Sequence, residues 1–350
     1  DASRQYLPIA EAIAKVEDQN LQNCIESQHT SKTTAGEVFD IECRYQGIVS
    51  LRGIEHFTEL ERLWLDDSNL TDLLPISKLV DLQLLDVSWG SRGVADISVL
   101  AELSKLQWLD FEGQPIADFS PLGALSEIQH LQIGHSLLSD LGQLGQKPEL
   151  RRLQINHSLV REISNLSFAP KLERLYAQDL KLKSIPSLAD LAALNDLNLG
   201  GNELTTIELP SEAVFSQVNL YNNPRLIEIV GLDSVSEIGS LEITDTGLSD
   251  LNFIPEDLNI DYLGVGGDQL RDIQRLSILS SLGSLRIERA PQLSDFSVIA
   301  DISQLSALEL NSLESLTNLD FLESQDRLER LTLQRSRNIA DFSGLAFLLD

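Results

Sequence analysis

His135 and His157 stand 22 residues apart, with Asp179 a further 22 along, and two imidazoles with one carboxylate are a donor set that suits a transition metal. If the three sit on successive strands of a parallel sheet, equivalent atoms repeat every ~4.8 Å and the outer two lie about twice that distance apart. They then converge poorly on one ion, and solvated loop histidines are the better reading. A second column, Asp72, Asp96, Asp118, Asp140, Glu162, Glu228, Asp250, Asp272, Asp295 and Asp341, could be read as a calcium ladder. Caps explain it better, because Asp at the start of a short 3₁₀ turn accepts backbone N–H bonds, and Ser184 and Thr206, also capping types, replace it where it is absent. No GxSxG, HExxH, GxxxxGK[ST] or CxxC occurs. We therefore expect no catalytic residues, no cofactor and no metal site.

The columns recur because the chain itself recurs. Written as LxxLxLxxNxLxxLxxLxxL, fourteen units begin at Val38, Leu60, Leu82, Leu106, Ile128, Leu150, Leu172, Leu194, Phe215, Ile238, Ile260, Leu282, Leu305 and Leu328, usually 22 residues apart. Leu150, Leu153, Ile155, Val160, Ile163 and Leu166 return as Leu172, Leu175, Ala177, Leu182, Ile185 and Leu188. L-x-L spacing makes a short strand with two inward side chains, and apolar positions three apart suit a 3₁₀ or irregular return. One unit cannot bury its own stripe, so neighbours stack and their leucines fuse into one core. The predicted fold is an α/β solenoid of about 14 repeats spanning residues 38–350. It curves as a leucine-rich-repeat horseshoe or arc, with a parallel concave sheet, a 3₁₀ or irregular convex side and a helical N-terminal cap over residues 1–37.

The stretches Leu106 to Leu122 and Leu194 to Ile207 resemble the 22-residue class of leucine-rich repeats found in bacterial internalins and in a eukaryotic phosphatase regulator. The resemblance covers residues 38 to about 345 and implies the fold firmly; for function it implies only a non-catalytic binding protein, since this architecture serves many partners. The sequence departs from the family pattern at the Asn slot, which holds Asn202 and Asn223 but elsewhere Ser68, Ser136, Ser158, Thr246 or Asp268.

Ahead of the repeats, Tyr6, Ile9, Ala10 and Ile13 fall at helical spacing, and Asp18 could cap a second helix carrying Leu21, Cys24 and Ile25. Cys43 takes the inward slot of the first unit, at the core edge a cap must cover. A Cys24–Cys43 disulfide is expected; two buried free thiols in a cytosolic protein are the alternative. Cap and disulfide together resemble the N-terminal caps of exported bacterial repeat proteins. The chain contains no Met, so Asp1 is not expected to be the translational start, and removal of a signal peptide is the simplest account. These readings favour export to the periplasm, the cell surface or the medium.

The 54 acidic residues against 26 basic ones give a formal charge of −28, which disfavours nucleic acid and anionic membranes as partners. No apolar run approaches the ~20 residues of a membrane span. Side chains flanking the inward strand positions face outward. Read along the first units they include Arg44, Trp64, Asp66, Asp86, Trp108, Asp110, Glu112, His130, Arg152, Arg174 and Tyr176, with Trp89 beside them, whereas later units look blander. Trp, Tyr and Arg are enriched at binding hot spots. The ligand-binding candidates are therefore Trp64, Asp86, Trp89, Trp108, Asp110, His130, Arg152, Arg174 and Tyr176, on units two to six. The expected ligand is a protein, with a glycan as the alternative because aromatic platforms also suit sugar faces. Two other readings stay open: an intracellular acidic scaffold or inhibitor for a basic protein, and a fragment of a larger surface adhesin. The C-terminal run Phe347 to Asp350 lacks an obvious polar cap, which suggests that it folds over the end, that the end pairs with another chain as an end-to-end dimer, or that further sequence follows.

Overall fold

A computed structural model of the protein describes residues 5–90 and 93–348, the last two by backbone alone. Leu349 and Asp350, part of the C-terminal run discussed above, lie outside the described residues. The chain forms two compact units, Asp1–Arg161 with Leu166–Leu172, and Glu162–Asn165 with Glu173–Asp350.

In the first unit, helices α1 (Ile9–Ala14) and α2 (Gln19–Gln28) precede six strands. These are β1 (Asp40–Glu42), β2 (Arg62–Trp64), β3 (Leu84–Asp86), β4 (Trp108–Asp110), β5 (His130–Gln132) and β6 (Arg152–Gln154). Each pairs in parallel with the next, so Ile41, Leu63, Leu85, Leu109, Leu131 and Leu153 line up across the sheet. All six are fully buried. Their neighbours on either side along each strand point the other way, as the period of two requires.

The second unit repeats this plan with β7 (Arg174–Tyr176), β8 (Asp196–Asn198), β10 (Val214–Asn219), β12 (Glu237–Ile243), β13 (Asn259–Gly266), β14 (Ser284–Glu288), β15 (Ala307–Asn311) and β16 (Arg330–Gln334). A separate parallel pair, β9 (Thr206–Glu208) with β11 (Glu228–Val230), lies outside that series. Each of the fourteen expected repeats thus supplies one strand, as the spacing predicts. In β16, Leu331 and Leu333 are only half-buried, whereas their register partners Leu308 and Leu310 are 1% and 0% exposed.

Most return segments are 3₁₀ turns, and the acidic column caps them. Asp72, Asp96, Asp118 and Asp140 accept the N–H two residues on at 2.8, 2.8, 2.9 and 2.8 Å. In the second unit Asp250, Asp272, Asp295 and Asp341 do the same at 3.0, 2.7, 2.9 and 2.8 Å. Where Ser98, Ser120, Ser297 and Ser343 donate, these bonds hold the carboxyls of Asp96, Asp118, Asp295 and Asp341 below their ordinary range. The expectation that Thr206 replaces the capping Asp is corrected. Thr206 and Glu228 are register partners in the β9–β11 pair, where a β-branched residue suits extended backbone and no 3₁₀ turn needs a cap.

Asp18 caps α2 as expected, accepting from Asn20 and Leu21 N–H. The buried face of α1 differs from the expected one. Ala12 is buried there, with Val16 buried just beyond the helix, while Ala10 is exposed, because the helix starts only at Ile9, beyond Tyr6. Tyr6 instead donates its hydroxyl to Glu59 at 2.9 Å.

Cys24 and Cys43 form a disulfide, with Cα atoms 5.9 Å apart. It links α2 to the end of β1 and spans 19 residues of chain. Closing a loop of this length is worth about 3 kcal/mol through the unfolded chain. The Cys24→Ser, Cys43→Ser double variant is expected to unfold at lower urea with a stability loss of about that size. An unchanged midpoint would mean that the bridge does not constrain the unfolded chain.

Candidate sheet-face binding surface

The outward face of the first unit's sheet is built in two columns from the strands and a third from the residues just after them. Register places Trp64 beside Asp86 and Asp86 beside Asp110, with Trp108 next to His130 and His130 next to Arg152. Six of the nine expected ligand residues are therefore neighbours on one face: Trp64, Asp86, Trp108, Asp110, His130 and Arg152. Trp108 and His130 stack, with ring centroids 4.4 Å apart and planes 24° apart.

Carboxylates form the floor between the tryptophans. Asp86 is buried and accepts from the Ser88 N–H at 3.0 Å and its hydroxyl at 2.7 Å. Asp66 is buried beside it, and burial, then the Asp86 charge, push its carboxyl up from the ordinary value. Asp110 accepts from Glu112 N–H at 3.0 Å and from Gln132 Nε2 at 2.5 Å. Burial nevertheless raises it to about 7, with Asp86 and Glu112 adding to the rise, while the Glu112 N–H and Arg152 oppose it. Glu112 in turn accepts from Gln154 at 2.9 Å.

Arg44 shows what this floor can hold. Its guanidinium carbon lies 5.6 Å from the Trp64 ring centroid, and one of its nitrogens is 3.2 Å from Asp66 and 3.7 Å from Asp86. It also donates to Glu42 at 2.8 Å.

Of the other three expected ligand residues, Trp89 leaves the sheet face and two belong to the second unit. Trp89 is off the sheet face, at the tip of the turn after β3, 47% exposed and with φ of 59°. A bulky side chain there is strained, since that region favours glycine. Gly113, with φ of 81°, occupies the next tip, and a Cβ there would strike the Trp89 ring at 2.8 Å. The bare glycine lets Trp89 reach past it to His135, at 5.2 Å between centroids, and His135 stacks on His157 at 4.3 Å. The histidine column thus forms part of a ring stack. Arg174 and Tyr176 belong to the second unit, where Tyr176 donates to Asp196 at 2.5 Å.

The expectation that later units are blander is corrected. On β12 to β15, Arg286 lies 3.8 Å from Glu242 and 3.8 Å from Glu309, and pairs closely with Glu288. Tyr262 donates to Glu242 at 3.0 Å, and its phenol is pushed up to about 12 by burial and by that carboxylate. The sequence signal was present, because aromatic, basic and acidic residues fall in register at outward slots of adjacent repeats.

Solved structures share the fold of this chain over most of its length. An internalin (InlF) from Listeria monocytogenes is 22% identical, with 97% of this chain and 98% of that one covered, at a TM-score of 0.67. A leucine-rich-repeat protein from Leptospira interrogans is 18% identical over 96% of this chain and 92% of that one, at 0.60. A TLR13–ssRNA13 complex is 18% identical over 87% of this chain and 48% of that one, at 0.60. No family pattern matches the sequence, and no curated protein does. The fold is that of an internalin-like leucine-rich-repeat solenoid. Among the described residues, no helix is long and apolar enough to cross a membrane.

Proposed function

We propose that the protein is an exported, non-catalytic recognition protein that binds a protein partner on the outward sheet face of its first unit. The observation that carries this reading is Trp64 and Trp108, half-buried on one face around a carboxylate floor. A soluble surface rarely holds tryptophan without use, and large aromatics anchor interfaces. The Cys24–Cys43 disulfide supports export, because such bonds persist chiefly outside the cytosol. The net charge of −28 opposes a phosphate-backbone ligand here, although the TLR13 relative is described with single-stranded RNA. We also propose that the half-buried Leu331 and Leu333 give β16 an end-to-end dimer contact, which sedimentation of wild type against Leu331→Lys tests.

The Trp64→Ala, Trp108→Ala double variant is expected to lose a captured protein partner by tenfold or more while its melting temperature stays within a few degrees. Asp295→Asn, a change at a 3₁₀ cap of the second unit, is expected to keep it. Equal retention by both variants overturns the proposed face, and capture of a glycan with the same tryptophan dependence overturns the choice of protein over sugar.

A further inference from the structure

We propose that the first unit's sheet face receives an arginine side chain of the partner, seated over Asp86, Asp110 and Glu112 beside Trp108. This deepens the binding role proposed above and rests on it.

Charge complementarity and an internal template support it. The face carries Asp40, Glu42, Asp66, Asp86, Asp110 and Glu112 against Arg44, Arg62 and Arg152. Arg62 stands 3.7 Å from Asp40, at one side, and Arg44 serves Glu42, Asp66 and Asp86. Among the described residues of the face the further cation is Arg152, whose charge opposes the rise at Asp110, so Asp86, Asp110 and Glu112 outnumber Arg44 and Arg152 beside them. Adjacent strands lie ~4.8 Å apart, so Asp86 and Asp110 are close enough for one guanidinium to bridge.

Arg44 shows the geometry that such a guest would copy: guanidinium against an indole ring, one nitrogen toward two carboxylates of neighbouring repeats. The second unit independently builds the same chemistry, with Arg286 among Glu242, Glu288 and Glu309 beside Tyr262. Trp108, Asp86, Asp110 and Glu112 repeat the aromatic and acidic parts of that set. A planar, weakly hydrated guanidinium fits such a set better than an ammonium, because it stacks and bridges at once. Burial that raises the Asp110 carboxyl to about 7 is offset when a fixed cation arrives.

The test titrates the full chain with a capped tri-arginine peptide, its tri-citrulline isostere and a tri-lysine peptide, following tryptophan fluorescence and heat. The arginine peptide is expected to bind at least tenfold more tightly than the citrulline peptide and severalfold more tightly than the lysine peptide. Asp110→Asn and Trp108→Ala are each expected to weaken it about fivefold or more, and Asp295→Asn, which removes at least as much negative charge as Asp110→Asn, to leave it unchanged. Binding near pH 6.5 is expected to release protons, seen as a dependence of the heat on buffer ionisation enthalpy. Equal binding of the citrulline peptide, or equal loss in Asp110→Asn and Asp295→Asn, overturns the inference. A protein partner cross-linked to this face with no arginine at Asp110 also overturns it but leaves the binding role standing. A partner that cross-links only away from the face overturns both.

Discussion

Asp110→Asn is expected to stabilise the protein at pH 8 and to leave its stability unchanged below about pH 4. The Asp110 carboxyl is raised from 3.8 to about 7, so over that range the folded chain holds a proton that the unfolded chain has released. Stability then falls as pH rises from about 4 to about 7, and the loss persists above it. A shift of this size corresponds to about 4 kcal/mol at most. Because Asp110 is partly exposed, solvent screening reduces that figure, and a gain of about 2 kcal/mol is expected. Asn retains an oxygen for the Glu112 N–H, and the Gln132 amide can turn to accept from the new amide nitrogen. Urea denaturation of both proteins at pH 4, 6 and 8 measures the effect. Parallel stability curves would mean that Asp110 is ionised throughout, and that the floor already has the cations it needs. A gain at pH 8 that vanishes at pH 4 would show a carboxylate held at a cost to folding, as a binding site requires.

How far the sequence reached follows from what repeats and what does not. The inward leucines repeat, so strand positions such as Leu63 and Leu131 were legible to the residue, and so were the carboxylates that cap the 3₁₀ turns. Outward neighbours such as Trp108 and His130 were legible because strand register is fixed by the same repeat. Departures arise where a residue leaves its slot. The indole of Trp89 lies over Gly113, and only the backbone conformation at both tips reveals that it serves the ring stack rather than the sheet face. Gln114 fills the slot where Asn was expected: its amide donates to Val87 and Trp89 carbonyls at 2.6 Å and accepts from Val94 N–H at 2.8 Å. A longer side chain there changes the loop without breaking the repeat. The charge network around Arg286 was readable residue by residue, but its closure depends on side-chain distances that spacing does not supply.

Lys147 was not legible at all, and it sets the second pH dependence. Its side chain is fully buried, and its ammonium donates to the Leu122 carbonyl at 2.8 Å and the Gln146 carbonyl at 3.2 Å. Burial pulls the group from 10.5 down to about 8. Here the folded chain releases its proton first, so between about pH 8 and 10.5 the unfolded chain binds more protons and stability rises with pH. Lys147→Met removes that slope. It also takes one donor from each of two carbonyls, of which Leu122 keeps the Leu125 N–H at 2.9 Å, so its effect at pH 7 sums a relieved charge and two lost hydrogen bonds of about 1 kcal/mol each. The change with pH is cleaner than either sum. From pH 7.5 to 10.5 the wild type is expected to gain on the variant by about 3 kcal/mol, the free energy that corresponds to the Lys147 shift. Urea denaturation at the two pH values measures that gain directly. A constant difference would mean that the ammonium titrates as it does in water, and that the two carbonyls compensate fully for its burial.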